Sequence, residues 1–315
     1  MSFISMTGDA DGVTYRIDGR SARFLYPVPP KPCMIMRGSE ISDKFEEPKA
    51  LVAEAIFAFR RFEEAFATFN QTGPFELLQQ FDTDENCWKF RFLTKKHFPV
   101  QLEAIAKTVV HNLRAALDLM IATLVRCSGA NLSKQAGFPI SKSRQSFEKE
   151  FKAKLENVPD RIIQLIRRLK PYDGGNQALW ALAQLDNLGK HNELPPVAVA
   201  EVSVAVRTAM PGVFLSPEGE ICLLGGPPEA IPFGHDRGFL IPEGTSPTRI
   251  ETNDVELYRF DAALRECVDG VSADAVVTIG PYALTRNFPV SDIFAYLIHL
   301  VQRILKAVGR IWSPN

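Results

Sequence analysis

What this chain lacks narrows its reading first. No run of about 18 apolar residues is present, so no membrane-spanning segment is expected. The opening residues, MSFISMTGDADG, have neither a basic stretch nor an apolar core, so no secretory signal is expected there. The five cysteines (Cys33, Cys87, Cys127, Cys222 and Cys267) include no Cys-x-x-Cys and no close pair. Such a scattered, odd set reads as free thiols in a reducing, cytoplasmic compartment. There is no P-loop, no Gly-rich dinucleotide turn after a strand, no HExxH, no GxSxG and no Cys/His pattern with zinc spacing. Gly225-Gly226-Pro227-Pro228 is a turn and not a phosphate cradle, because prolines lack the N–H donors a cradle needs. Internal repeats and heptad runs are missing as well.

Charge is present but unevenly spread. The net charge is −1 over 315 residues, yet residues 95–170 hold 15 Lys/Arg against 6 Asp/Glu, and residues 171–300 hold 7 against 17. Such asymmetry points to a surface for nucleic acid or another acidic partner. The alternative is that the two halves neutralise each other in the fold.

The periodicity predicts an α+β fold with a helical core and a separate antiparallel β-rich region at about 197–280. Residues 1–45 read as an irregular segment, with Pro27 to Pro32 as a stiff, extended connector. Residues 46–194 read as a mainly helical domain. In it, Leu51, Ala55, Phe59, Phe62, Phe66 and Phe69 mark a helix over 46–72, and Gly73-Pro74 stops it. A hairpin follows at 75–94, turning at Asp82-Thr-Asp-Glu-Asn86. Pro99 opens the longest helix, about 98–127. Further helices are expected within 143–170 and 177–190, separated by the break at Pro171-Tyr-Asp-Gly-Gly175. Residues 195–315 form the β-rich region, closed by an amphipathic helix at 290–311.

Three polar clusters stand out. Lys107, His111, Arg114 and Asp118 fall within about 60° on one stripe of the long helix, opposite Leu102, Val109, Leu113, Leu117 and Leu124. A proton shuttle, an anion clamp and a carboxylate partner would thus share one face. The competing reading is a solvated face, although His and Asp are poor choices for an idle helical surface. The second cluster is Asp186-Asn187-Leu188-Gly189-Lys190-His191. In helical geometry Asn187 and His191 share a face with Trp180 and Gln184, while Asp186 pairs with Lys190. The competing reading is a cap with Gly189 in the left-handed position; it leaves Asp186 unexplained, because a carboxylate near a helix C-terminus is unfavourable. The third cluster is the basic stripe His299, Arg303, Lys306 and Arg310, suited to phosphates or simply to water. No cofactor and no metal are expected; a site from His111, His191 and Asp118 lacks two ligands at a dedicated spacing on one element.

Four segments give the chain a resemblance. They are His111-Asn-Leu-Arg-Ala-Ala-Leu-Asp118, Phe138-Pro-Ile140, Lys170-Pro-Tyr172 and Leu179-Trp-Ala-Leu-Ala-Gln-Leu-Asp-Asn-Leu-Gly-Lys-His191. In order and spacing the stretch 98–194 resembles a set of uncharacterised bacterial proteins. The resemblance implies that both helical clusters matter and supplies no reaction. It also implies an acidic residue before the Lys-His pair, where this chain has Gly189. A weaker similarity is to HEPN-type helical ribonucleases, through the spacing of Arg91 and His97. Those enzymes place that pair at a helix start, whereas Arg91 here falls at the end of an expected strand.

These readings lead to three expectations. The first is a binding or interaction protein associated with nucleic acid or an acidic partner, with Lys107, Lys190, Arg303, Lys306 and Arg310 as its contacts. The second is a metal-independent nuclease or other phosphodiester-acting hydrolase. In it His111 or His191 is the acid or base, Arg114 holds the anion, and Asp118 or Asn187 orients a histidine. The third makes both clusters a purely structural polar network.

Overall fold

In the computed structural model, residues 3–9, 12–14, 43–190, 197–208, 213–215, 221–223, 239–240, 254–262, 268–280 and 288–312 are described. The chain order is β1 (Phe3–Asp9), β2 (Gly12–Thr14), a 3-10 turn, α1 (Glu46–Gln71), β3 (Phe75–Asp82), β4 (Cys87–Thr94) and α2 (Val100–Cys127). Next come α3 (Arg144–Lys154), α4 (Asp160–Leu169), α5 (Gln177–Lys190), β5 (Val197–Thr208), β6 (Val213–Leu215) and β7 (Ile221–Leu223). The last elements are β8 (Phe239–Leu240), β9 (Asp254–Asp261), β10 (Val268–Ile279) and α6 (Val290–Trp312). The fold is α+β with a helical core and antiparallel sheet, as the periodicity predicts. The connector at Pro27–Pro32 lies outside the described residues.

Contacts divide the chain into a sheet unit (1–21, 67–98, 198–278) and a helical unit (22–66, 99–197, 279–315). In the sheet unit the strand orders are β2-β1-β10-β5-β8, β3-β4-β9 and β6-β7. The expected hairpin forms with Phe75 opposite Thr94, but β4 also pairs antiparallel with β9. That pairing draws 75–94 out of the helical domain in which the sequence placed it. Strands β1 and β2 likewise fall inside the stretch expected to be irregular. Both differences rest on partners far along the chain, which local periodicity does not encode. At the hairpin turn, the Asp82 carboxylate accepts the N–H groups of Asp84 and Glu85, and Asn86 takes a positive φ of 51°. Asn tolerates that conformation because its short polar side chain bonds locally.

The helical unit is built around α2. Leu102, Val109, Leu113, Leu117, Met120 and Leu124 are buried along one side of it. By length and composition alone α2 is apolar enough to cross a membrane. Here its apolar face instead packs on α5 and α6, as a core helix does. Phe294 of α6 meets Phe59 and Phe62 of α1 edge-to-face, with ring centroids 5.8 and 5.4 Å apart. Such pairs add to plain burial because ring edges and faces carry opposite partial charge. Local signals set the smaller helices. The Ser143 hydroxyl accepts the Ser146 N–H to start α3, and the Asn176 side chain accepts the Leu179 N–H to start α5. Lys170, at φ 50°, ends α4 in the left-handed region.

Candidate functional site

The site grows out of the polar stripe of α2. Helices α2 and α5 pack together, so the two expected clusters approach each other. His111 Nδ1 lies 3.0 Å from Asp186 Oδ1. The ring is open to solvent, with 60 % of its side chain exposed, while the Asp186 side chain is 3 % exposed. An ionised carboxylate only accepts, so this contact places the proton on Nδ1 and leaves Nε2 as the acceptor of the ring.

One turn further along, the stripe does something different. Arg114 Nη2 donates to Asp118 Oδ1 at 2.9 Å and to the Phe138 carbonyl at 2.8 Å. Asp118 Oδ1 in turn accepts the Phe138 N–H at 2.8 Å. Both backbone groups of Phe138, a fully buried residue, are thus captured by one ion pair. The pair latches the 128–143 loop onto α2. The loop arrives so close that a Cβ on Gly137 would sit 3.0 Å from Asp118 Oδ1. Arg114 is therefore spent on structure. Its Nη1 is buried with no hydrogen-bond partner among the described residues.

A cleft of about 390 Å³ opens over these groups. Its polar lining is His111, Arg114, Asp118 and Asp186, and its apolar wall includes Leu51 of α1, Leu119 and Ala122 of α2, and Ala136 of the loop. Pockets of this size take small molecules or one residue of a longer chain. None of the described lining residues is Ser, Thr, Cys or Lys. The site therefore offers a proton acceptor but no side-chain hydroxyl, thiol or amine nucleophile among the described lining residues.

The structure separates the sequence candidates. His111, Arg114 and Asp118 line the cleft. Asn187 does not: it is exposed, and the residue that orients the histidine is its neighbour Asp186. Position 187 lies about 100° further round the helix, which turns it out of the α2–α5 seam. Lys107 is half-buried on the stripe outside the cleft lining. His191 lies outside the described residues, and of Lys190 only the backbone is described. Helix α5 runs through Lys190, so Gly189 is inside the helix and is not its left-handed cap. Arg303, Lys306 and Arg310 lie on α6 and take no part in the cleft lining. Arg91 sits within β4 and pairs with Asp254 2.5 Å away, so it is in a strand and not at a helix start. Among the described residues no three His, Cys, Asp or Glu side chains gather as a metal site.

Sequence reasoning missed Asp186 as the partner, along with Leu51 and Ala136 as walls. One signal for Asp186 was present: a carboxylate near a helix C-terminus, where the dipole disfavours it.

Electrostatics elsewhere are tightest at the hairpin turn. Lys89 Nζ meets Asp82 at 2.7 Å and Glu85 at 3.0 Å, and Arg259 meets Glu85 at 2.7 Å and Glu256 at 2.6 Å. Hydrogen bonds from Lys89 and from the Glu85 N–H lower the Asp82 carboxyl to about 2, and burial pushes the Cys87 thiol up. These cations and carboxylates neutralise one another, which is what a structural ion network does.

Three of the four resemblance segments interlock, and the fourth is tied to them. The first is α2's stripe, the second is the latched loop, and the last supplies Asp186. Ser141, directly after Phe138-Pro-Ile140, bridges to Tyr172 of Lys170-Pro-Tyr172. Compared with known protein families, curated proteins and solved structures, the chain matches none.

Proposed function

We propose that the helical unit carries an acid–base site for cleaving an ester bond, with His111 as general base and Asp186 as the residue that orients it. The observation that carries this reading is the exposed imidazole held through Nδ1 by a buried carboxylate at the mouth of a cleft. A histidine placed for packing is normally covered; this one is exposed and lines the space where a substrate fits. Nε2 takes a proton from water or a substrate hydroxyl as it attacks, and returns it to the leaving oxygen. Asp186 fixes the tautomer and stabilises the imidazolium that forms.

The substrate class follows from charge. Among the described lining residues the one permanent cation, Arg114, is committed to Asp118 and Phe138. The anion-holding role expected for it is therefore not part of this reading. A phosphodiester would depend on Lys107, one turn before His111, and on Lys190, one turn after Asp186. A neutral carboxylic ester needs neither. An association with nucleic acid belongs to an outer surface and not to the cleft.

The experiment is turnover of p-nitrophenyl acetate and bis-p-nitrophenyl phosphate by the whole protein, beside His111→Ala and Asp186→Asn. Loss of general-base catalysis lowers the rate by about 10²–10⁴-fold in His111→Ala. Equal turnover in wild type and His111→Ala, or none on either ester, would end this reading.

A further inference from the structure

We infer that the outer face of α6 is a docking surface for single-stranded nucleic acid, independent of the cleft. Tyr296, His299, Arg303, Lys306 and Arg310 fall within about 80° of one another at 100° per residue. All but half-buried Lys306 are exposed, and the Tyr296 ring is 40 % exposed. The opposite face, from Ile293 and Phe294 to Val308, is buried.

Three features set this stripe apart from ordinary surface charge. First, α6 has no acidic residue after Asp292. Secondly, among the described residues none of its cations forms an ion pair, whereas Lys89, Arg91, Arg114, Arg126, Lys154, Arg167 and Arg259 all do. Thirdly, the spacing works against the helix. Arg303 and Lys306 at i, i+3, and Lys306 and Arg310 at i, i+4, repel one another where a Glu would attract. The helix dipole rewards Arg310 in the last turn but not Arg303 or His299, which lie one and a half turns or more before it. A face whose Arg303 and Lys306 gain nothing from the described residues is matched to an external anion.

The spacing and the tyrosine choose the anion. From Tyr296 to Arg310 is about 21 Å, and Arg303, Lys306 and Arg310 follow one another at about 4.5–6 Å. That row tracks a phosphate backbone, and an exposed ring at its end offers a stacking platform for an unpaired base. Helix α4, which packs on α6, exposes Arg161 and Arg168, also without ion pairs among the described residues. Of these cations, Arg161 and Arg168 belong to the basic stretch 95–170, whereas those of α6 lie outside it.

The test is fluorescence anisotropy of the full chain with a labelled oligo-dT of about 15 nucleotides, over a salt series, beside a labelled poly-glutamate of equal charge. The variants are Arg303→Gln/Lys306→Gln/Arg310→Gln and Tyr296→Ala. Their outward positions leave the core intact, checked by an unchanged melting curve. Losing three phosphate contacts should weaken binding at least tenfold and flatten the log–log salt slope by about 2. Tyr296→Ala should weaken oligo-dT binding about five- to tenfold with the slope unchanged, because stacking releases no ions. No binding at low salt, or a triple variant with wild-type affinity and slope, would overturn the inference. Poly-glutamate bound as tightly as oligo-dT, with Tyr296→Ala silent, would overturn it in favour of an acidic protein partner. Cleft variants such as His111→Ala should leave all these measurements unchanged, so failure here and failure of the ester reading are told apart.

Discussion

The stripe of α2 ends in two polar pairs built to opposite plans. Arg114 and Asp118 lie on one helix, bond each other, and close on the backbone of Phe138. His111 reaches across to Asp186 on another helix and leaves its ring in water. The first pair turns its hydrogen bonds inward, onto itself and the Phe138 backbone. The second keeps one nitrogen unspent. Residue types that look equally catalytic in sequence are thus divided by what remains available after folding, and availability is what a reaction needs.

The largest effect that separates the two pairs is on stability. Asp118→Ala strands a mostly buried guanidinium, whose side chain is 14 % exposed, and also the N–H of buried Phe138. Leaving such groups unsatisfied costs about 2–3 kcal/mol. For a chain of 315 residues that is roughly 3–5 °C in Tm. His111→Ala trims an exposed ring and removes one hydrogen bond from the buried Asp186 carboxylate, so it should cost less, about 1 kcal/mol. Thermal melts followed by circular dichroism check both. A reversed order, with His111→Ala the more damaging, would make His111 the structural residue and Arg114–Asp118 the open one.

This division was only partly legible in the sequence. The α2 stripe was visible because a strong apolar face opposes it. The error at α5 was one residue wide, Asn187 in place of Asp186, and it has a physical origin. Leu179, Trp180, Ala181, Leu182, Ala183, Leu185 and Leu188 wrap nearly the whole helix in apolar side chains. No polar face then reveals its rotation, and a one-residue shift turns it by about 100°. The latch was hidden for another reason. It joins two side chains to backbone atoms 20 and more residues away, and backbone groups carry no sequence signature. The same limit hid the pairing of β4 with β9, whereas the hairpin, closed by adjacent turn residues, was readable.

A smaller effect sharpens the comparison from the loop side. Gly137→Ala would press a methyl against Asp118 Oδ1, 3.0 Å away, the oxygen that holds both Arg114 and the Phe138 N–H. The carboxylate must shift by a few tenths of an ångström and lengthen both bonds, which costs about 1 kcal/mol. In an Asp118→Ala background the methyl has nothing to strike, so the same substitution should be nearly neutral there. That non-additivity is the signature of direct contact. Additive melts in the double-mutant cycle would mean that the loop does not rest on this carboxylate.

The smallest effect lies in the other unit and extends the contrast to pH. Asp82 resembles Asp118 in having its oxygens committed, to Lys89 and to turn N–H groups. Its carboxyl is lowered from 3.8 to about 2, so the folded state favours the ionised form. A depressed carboxylate contributes stability that is present above its unfolded value and is lost as pH falls through its folded value. Asp82→Asn should therefore lower the Tm of the sheet unit slightly at pH 6, and the deficit should shrink between about pH 4 and pH 2, where the wild-type carboxylate is itself protonated. The shift is small because the group is at the surface and its ion pairs are screened, so added salt should reduce the pH 6 deficit too. A deficit that stayed constant down to pH 2 would assign Asp82 to turn geometry alone, through the bonds to Asp84 and Glu85 that an asparagine oxygen can also accept.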